Sequence, residues 1–155
     1  MARAKCDGAG LLDAMRSAVA NLELTVEEIN ALNVFPVPDG DTGTNMLATV
    51  RAALDEAEAA GRDAPAERVA AAASHGALMG ARGNSGVITS QILRGLAEGL
   101  AGKKRFSGLD FANALSLGTK TAYGAVSKPV EGTILTVIRE ASAAAVEAAE
   151  RDDAI

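Results

Sequence analysis

The loop that decides the fold runs from Asn33 to Asn45 and has the sequence NVFPVPDGDTGTN. Its two prolines and two glycines cannot sit inside a regular helix, so this stretch is a loop. On both sides of it, apolar side chains recur at helical spacing, over residues 11–32 before the loop and over residues 46–57 after it. The pattern therefore predicts helices joined by a long, proline-stiffened connection.

The rest of the chain continues this alternation of helical stretches and inserts that contain glycine or proline. Further inserts are predicted at residues 80–86 and 128–133. A capping box formed by Thr25 and Glu28 predicts that a second, short helix begins before the first loop. No alternation of apolar and polar residues persists long enough for a strand. The prediction is an all-α bundle of about seven helices.

The composition excludes several classes of protein. The chain has 155 residues, a net charge of -5 and a pI near 4.9, so it lacks the basic face that nucleic-acid binding requires. A single cysteine, Cys6, excludes a disulfide framework, and the one histidine, His75, is expected to be a packing residue. No apolar run approaches the roughly 20 residues of a membrane span. We expect one cytoplasmic domain over residues 1–155, with a core of alanine, leucine, valine and isoleucine.

The acidic half of the first loop has the residue types of a metal or phosphate site. Asp39 and Asp41 are separated by one residue, and carboxylates about 4 Å apart repel by about 4 kcal/mol at an effective dielectric constant of about 20. A hard divalent cation removes this repulsion, and carboxylate oxygens are ligands that Mg²⁺ prefers. Gly40 and Gly43 allow the backbone to turn and to approach a ligand closely.

Thr42, Thr44 and Asn45 lie where the helix after this loop is predicted to begin. Their amides and side chains are able either to cap that helix or to donate hydrogen bonds to phosphate oxygens. The alternative for the whole segment is a plain capped turn, since aspartate and glycine are ordinary turn residues. The segment matches neither a calcium EF-hand loop nor a P-loop, because residues that those motifs require are missing.

The second insert, residues 80–86, is a glycine-rich loop with the sequence GARGNSG. Asn84 or Ser85 is expected to cap the helix that follows, which leaves free amides at a helix N-terminus, where anions bind. Arg82 is expected to pair with a phosphate or with a surface carboxylate. The third insert, residues 128–133, either closes over a nucleotide, with Thr133 capping the last helix, or simply connects two helices.

Three segments together resemble a known family. They are Asn33–Met46, which contains the acidic loop, His75–Gly86, which contains the glycine loop, and Lys128–Leu135, which reads KPVEGTIL. This combination is similar to the N-terminal kinase domain of bacterial fatty acid kinase, in the dihydroxyacetone kinase L-subunit family, also called DhaL or Dak2. The resemblance covers nearly the whole chain. It implies an antiparallel barrel of eight helices, of which the C-terminal part is expected to be missing here.

The resemblance also implies roles for individual residues. The domain is expected to bind ATP or ADP together with magnesium, with two ions expected, at one rim of the barrel. Asp39 and Asp41 correspond to magnesium ligands, and Asn33, the nearest polar residue, is expected to replace as a ligand the third aspartate that dihydroxyacetone kinases have just upstream. The implied nucleotide contacts are Thr42, Thr44, Asn45, Gly83, Asn84, Ser85 and Gly86 near the phosphates, and Thr133 and Leu135 beside the base.

The reaction that the resemblance implies is phosphoryl transfer, and no residue is expected to act as a general base. The implied acceptor is the carboxylate of a fatty acid that a separate DegV-like fatty-acid-binding protein presents. A dihydroxyacetone-type acceptor, a regulatory module that binds nucleotide without turnover, and a phosphate-ester hydrolase are the alternatives. A second copy of the chain, in a homodimer, is the other candidate partner.

Overall fold

The computed structural model describes residues 4–152, which contain six α-helices. Within these residues the extended pairing is limited to one bridge between Cys6 and Phe106. The predicted all-α bundle of the DhaL type is confirmed. The helices are α1 (Gly8–Ala31), α2 (Thr42–Ala59), α3 (Ala66–Met79), α4 (Gly83–Gly99), α5 (Gly108–Ala125) and α6 (Ile134–Arg151).

The described residues have one helix where the sequence predicted two, so the expectation of about seven helices is wrong. Helix α1 continues through Thr25, which therefore does not form a capping box with Glu28. The hydroxyl of Thr25 donates to the carbonyl oxygens of Asn21 and Leu22, both at 3.2 Å. A threonine hydroxyl can bond back to its own helix in this way, and no glycine or proline interrupts the helix here.

Each helix packs against the next one along the chain, and α2 also packs against α4. Successive helices run antiparallel: in α4 and α5, Gly95 lies against Gly118 and Gly99 lies against Ala114. The starts of α2, α4 and α6 therefore face the same end of the bundle as the last turns of α1, α3 and α5. We call this end the loop end, because it carries the connections at residues 32–41, 80–82 and 126–133.

Small side chains allow the helices to approach closely in the core. An added Cβ at Gly95 would lie 2.5 Å from the Cα of Gly118, so the two helices cross with almost no space between their backbones. The predicted core of alanine and aliphatic residues is confirmed, with Phe106 as its one buried aromatic among the described residues. The buried members include Leu12, Ala53, Ala57, Val69, Ala77, Leu100 and Ala114.

The end of the bundle opposite the loop end is held by a capping box that opens α5. The amide of Ser107 donates to Oδ2 of Asp110 at 2.9 Å, and the amide of Asp110 donates to the hydroxyl oxygen of Ser107 at 3.2 Å. Lys103 Nζ lies 2.9 Å from the other carboxylate oxygen of Asp110. The Ser107 amide, followed by Lys103, holds the pKa of Asp110 below its usual value.

Two further expectations concern the surface of the bundle. None of the helices within residues 4–152 combines the length and the apolar character needed to cross a membrane. His75 is exposed on α3, so the expectation that it is a packing residue is wrong. Its neighbour Gly76 faces the core instead, where an added Cβ would clash with the carbonyl oxygen of Ala52.

Candidate functional site

The loop between α1 and α2 brings two of the three predicted metal ligands into contact. The side-chain amide of Asn33 donates a hydrogen bond of 2.7 Å to Oδ1 of Asp39. Gly40 follows with a φ of 67°, a left-handed conformation that glycine adopts without strain. Asp41 then occupies the N-cap position of α2, but its side chain makes no capping hydrogen bond. The Asp41 carboxylate is therefore not used by the helix as it would be in a plain capped turn.

The acidic pair is open to solvent and available to a ligand. Asp39 and Asp41 are both exposed, and within residues 4–152 neither forms an ion pair. In that same range, no three or more histidine, cysteine, aspartate or glutamate side chains are grouped so as to hold a metal. The donor set is thus two carboxylates beside one amide. It suits Mg²⁺, which proteins bind through one or two carboxylates while waters and substrate phosphates fill the remaining positions.

Asn30, at the end of α1, stabilises the start of α2, a role that the sequence analysis missed. Its side-chain oxygen accepts from the amide of Thr44 at 3.2 Å, and its side-chain nitrogen donates to the Thr44 hydroxyl at 3.0 Å. Asn30 thereby satisfies one of the first-turn amides that a helix leaves without an internal partner. The Thr44 hydroxyl keeps its proton for a ligand. No local pattern points to this contact, because it joins residues fourteen positions apart.

The glycine loop packs directly against the first turns of α2. Ser85 Oγ donates to the carbonyl oxygen of Thr42 at 3.3 Å. An added Cβ at Gly83 would clash with the side-chain nitrogen of Asn45. These contacts bring the predicted phosphate-binding residues of the two loops together at one place on the loop end.

The predicted capping of α4 by Asn84 or Ser85 is wrong. Helix α4 begins at Gly83, and Arg82 occupies its N-cap position without a side-chain capping bond. Asn84 and Ser85 therefore lie inside the first helical turn, and the Ser85 hydroxyl bonds across to α2 rather than to its own helix. The first-turn amides of α4 have no acceptor within the helix, which leaves them available to an anion.

The third insert is ordered by a polar network around Glu131. The carboxylate of Glu131 accepts from the hydroxyls of Thr136 and Tyr123 and from Arg139, whose Nη1 lies 2.6 Å away. These donors, Thr136 first, hold the pKa of Glu131 below its usual value despite partial desolvation. The network ties the connection to both α5 and α6.

The insert also carries the two residues that the resemblance places beside the base. Thr133 caps α6, as predicted, because its hydroxyl oxygen accepts from the amide of Leu135 at 3.3 Å. The side chain of Leu135 is buried. Helix α6 packs against α5, whereas the acidic and glycine loops lie on α2 and α4. Thr133 and Leu135 thus share the loop end with the other site residues, and a direct role for them stays a prediction.

The segment around the acidic pair is both acidic and apolar at its surface. Residues 23–50 contain five carboxylates and no lysine, arginine or histidine. Directly before Asp39, the side chains of Val34, Phe35 and Val37 are 77%, 54% and 57% exposed. We call these three residues the apolar segment. Large apolar side chains exposed together commonly mark an interaction surface.

Comparison with known proteins places this chain in a family. The DAK2 domain model matches residues 36–155, which contain the acidic pair, the glycine loop and the third insert. The chain belongs to the DAK2 domain family. The match supports a module like the L subunit of dihydroxyacetone kinases.

Curated relatives extend the match over nearly the whole chain. Protein YloV of Bacillus subtilis is 47% identical over 146 residues, which are 94% of this chain and 26% of YloV. An uncharacterized protein of Staphylococcus epidermidis is 45% identical over 143 residues, and one of Staphylococcus haemolyticus is 43% identical over 149. The chain spans about a quarter of the length of these relatives.

Proposed function

We propose that this chain is an ATP- and magnesium-binding kinase domain that transfers the γ-phosphate to the carboxylate of a fatty acid held by a DegV-like partner protein. The observation that carries the proposal is the meeting of the acidic loop and the glycine loop, where Ser85 bonds to the carbonyl oxygen of Thr42. Two exposed carboxylates thus lie at the same end of the bundle as two helix N-termini that pack together, α2 and α4.

Asp39 and Asp41 would hold the magnesium ion, with Asn33 beside them. Magnesium, when bound, neutralises charge on the phosphate oxygens and offsets the repulsion between the two carboxylates. Asn33 orients Asp39 through its hydrogen bond, which keeps one carboxylate oxygen directed into the loop. Residues 23–50 contain no basic side chain that would compete with a cation for these carboxylates.

The starts of α2 and α4 would bind the phosphates. A helix N-terminus carries partial positive charge and amides without internal partners, so it favours anions. Gly83 and Gly86 have no Cβ, which allows the α4 backbone to lie against α2 and permits close approach of a ligand. The Thr44 hydroxyl and the Asn45 and Asn84 amide groups add donors at the same place. Binding and orientation of this kind supply most of the catalysis in phosphoryl transfer.

The apolar segment supports a partner-borne lipid acceptor rather than a free triose. Val34, Phe35 and Val37 stand immediately before the acidic pair, so a partner that covers them would also lie next to the metal site. A DegV-like fatty-acid-binding protein offers both a protein surface and a carboxylate at the end of an acyl chain. A small polar triose gives no reason for such exposure. A carboxylate acceptor is already ionised, so the site needs no general base.

The metal site is tested by measuring the affinity of the purified chain for ATP with and without magnesium. Asp39→Asn and Asp41→Asn are each expected to abolish magnesium-dependent binding. Asp55→Asn, which changes an exposed carboxylate on α2 away from the loop, is the matched control and should bind as the wild type does. Unchanged affinity in either loop variant would contradict the proposed site.

The acceptor is tested separately by following ADP release and acyl phosphate formation. The reactions contain ATP, magnesium and either a fatty-acid-loaded DegV-like protein or dihydroxyacetone. We expect turnover with the loaded carrier and none with dihydroxyacetone. Turnover with dihydroxyacetone would favour the glycerone-type alternative, and tight binding without turnover of either acceptor would favour a regulatory module.

A further inference from the structure

Thr49 lies buried between the helices that carry the two halves of the site. Its side chain is fully buried on α2, one turn after Asn45. The Thr49 hydroxyl donates to the carbonyl oxygen of Asn45 at 2.8 Å and accepts from the backbone amide of Arg82 at 3.3 Å. Arg82 occupies the N-cap position of α4. One hydroxyl group therefore links the first turns of α2 to the residue at which α4 begins.

The glycine loop also packs closely against this hydroxyl. An added Cβ at Gly86 would lie 2.5 Å from Thr49 Oγ1, so α4 approaches the threonine as closely as a glycine allows. The Gly86 amide in turn donates to the carbonyl oxygen of Arg82 at 3.0 Å. The threonine thus contacts both ends of the first turn of α4, from Arg82 to Gly86.

We propose that Thr49 is a positioning residue that fixes the glycine loop relative to the acidic loop. The inference rests on the proposed function, which assigns the phosphate-binding amides to α4 and the metal-binding carboxylates to the segment before α2. Because Thr49 bonds to the backbone of Arg82, its hydroxyl determines where the first-turn amides of α4 lie. It does not itself contact a ligand.

Two substitutions separate the hydroxyl group from the volume of the side chain. Thr49→Val keeps the shape and removes the hydroxyl, which leaves the backbone amide of Arg82 without its acceptor. Thr49→Ser keeps the hydroxyl and removes a methyl group, which creates a small cavity. Both variants lose stability, so stability alone does not distinguish them.

Nucleotide affinity does distinguish the two variants. We expect Thr49→Val to weaken binding of ATP with magnesium about three- to tenfold, as the loss of one hydrogen bond would. Thr49→Ser should bind within about twofold of the wild type. Thr119→Val is the matched control: Thr119 also has a buried hydroxyl that bonds across a helix pair, but between α5 and α6. It should lose stability and retain affinity.

A second measurement requires no nucleotide. Amide hydrogen exchange at Arg82 and Gly86 should be faster in Thr49→Val than in the wild type and in Thr119→Val, and it should stay slow in Thr49→Ser. Exchange at these amides that is equal in all four proteins would overturn the proposal, as would affinity in Thr49→Ser as weak as in Thr49→Val. If the wild type fails to bind ATP, the proposed function is wrong, while the exchange comparison still decides whether Thr49 positions the loop.

Discussion

Asn33 and Asp39 are joined across the acidic loop by a hydrogen bond of 2.7 Å from Nδ2 to Oδ1. The bond joins residues six positions apart and closes a turn that contains both prolines, and it directs one carboxylate oxygen of Asp39 toward the end of α1. Two residues predicted separately as metal ligands therefore support each other. Because the side-chain amide of Asn33 donates this hydrogen bond, it orients the carboxylate of Asp39.

The first prediction concerns this bond. Asn33→Ala should weaken magnesium-dependent ATP binding about tenfold, because a hydrogen bond to a charged group contributes about 1.5–3 kcal/mol and exposure to solvent reduces that contribution. Titration calorimetry with ATP at saturating and at limiting magnesium measures the change. Asn113→Ala, at an exposed position on α5, is the control and should bind normally. An Asn33→Ala chain with wild-type affinity would show that Asp39 needs no orientation.

The second prediction concerns the apolar segment as a partner surface. The double substitution of Val34 and Phe35 to serine should raise the KM for a fatty-acid-loaded DegV-like protein about tenfold or more, because apolar anchors carry much of the energy of an interface. Steady-state transfer assays at varied carrier concentration measure this effect.

A matched valine elsewhere on the bundle controls for the general effect of replacing an exposed apolar side chain with serine. Val137→Ser changes a side chain on α6 that is 67% exposed, compared with 77% for Val34. Its KM for the loaded carrier should stay at the wild-type value. Nucleotide affinity serves as the check on folding, and equal KM values for the double variant and the wild type would exclude the segment from the interface.

The third prediction concerns the pH dependence of stability at Asp110. The capping amide of Ser107 and the ammonium of Lys103 lower the pKa of Asp110 in the folded state relative to the unfolded chain, where it is near 3.9. Its contribution is therefore fully present above that unfolded value and is lost as the pH falls through the lower, folded pKa. Asp110→Asn should reduce the free energy of unfolding by about 1 kcal/mol at neutral pH.

Urea denaturation of the wild type and of Asp110→Asn at pH 7, 5 and 3 measures how this loss of unfolding free energy depends on pH. The difference in unfolding free energy between the wild type and Asp110→Asn should stay constant from pH 7 to pH 5 and become smaller at pH 3. At pH 3 the Asp110 carboxylate binds a proton more readily in the unfolded chain than in the folded protein, which favours unfolding. Asp55→Asn provides the comparison for removing an exposed carboxylate from a helix without a capping role. A difference that is the same at all three pH values would show that Asp110 acts as a neutral cap.

The sequence predicts the helices and loops well because the signals for them are local. Prolines and glycines mark the connection at residues 32–41, and Thr133 has the spacing of an N-cap residue. At Thr25, by contrast, a local capping pattern lies inside a helix that no glycine or proline interrupts at that point. Local reasoning also misplaces the start of α4, because Ser85 bonds to α2 rather than to its own helix.

The parts of the site that the sequence does not reveal depend on contacts between distant residues. Asn30 bonds to Thr44 from the preceding helix, and Thr49 bonds to Arg82 over thirty-three positions. No periodicity or motif encodes such pairs, because they follow from how α1 and α4 pack on α2. The residue types of the candidate site can thus be identified from the sequence, whereas which of these residues lie together follows only from the fold.

The fourth prediction tests the close crossing of α4 and α5, the distance between which is set by Gly95 and Gly118. Gly95→Ala would place a Cβ 2.5 Å from the Cα of Gly118, so the helices must move apart, and the free energy of unfolding should fall by about 1–3 kcal/mol. Gly124→Ala is the matched control on α5, because an added Cβ there meets nothing within 4 Å. Helix propensity should leave that variant as stable as the wild type or up to about 1 kcal/mol more stable. Thermal or urea unfolding measures both changes, and a Gly95→Ala chain as stable as Gly124→Ala would contradict the close approach of the two backbones.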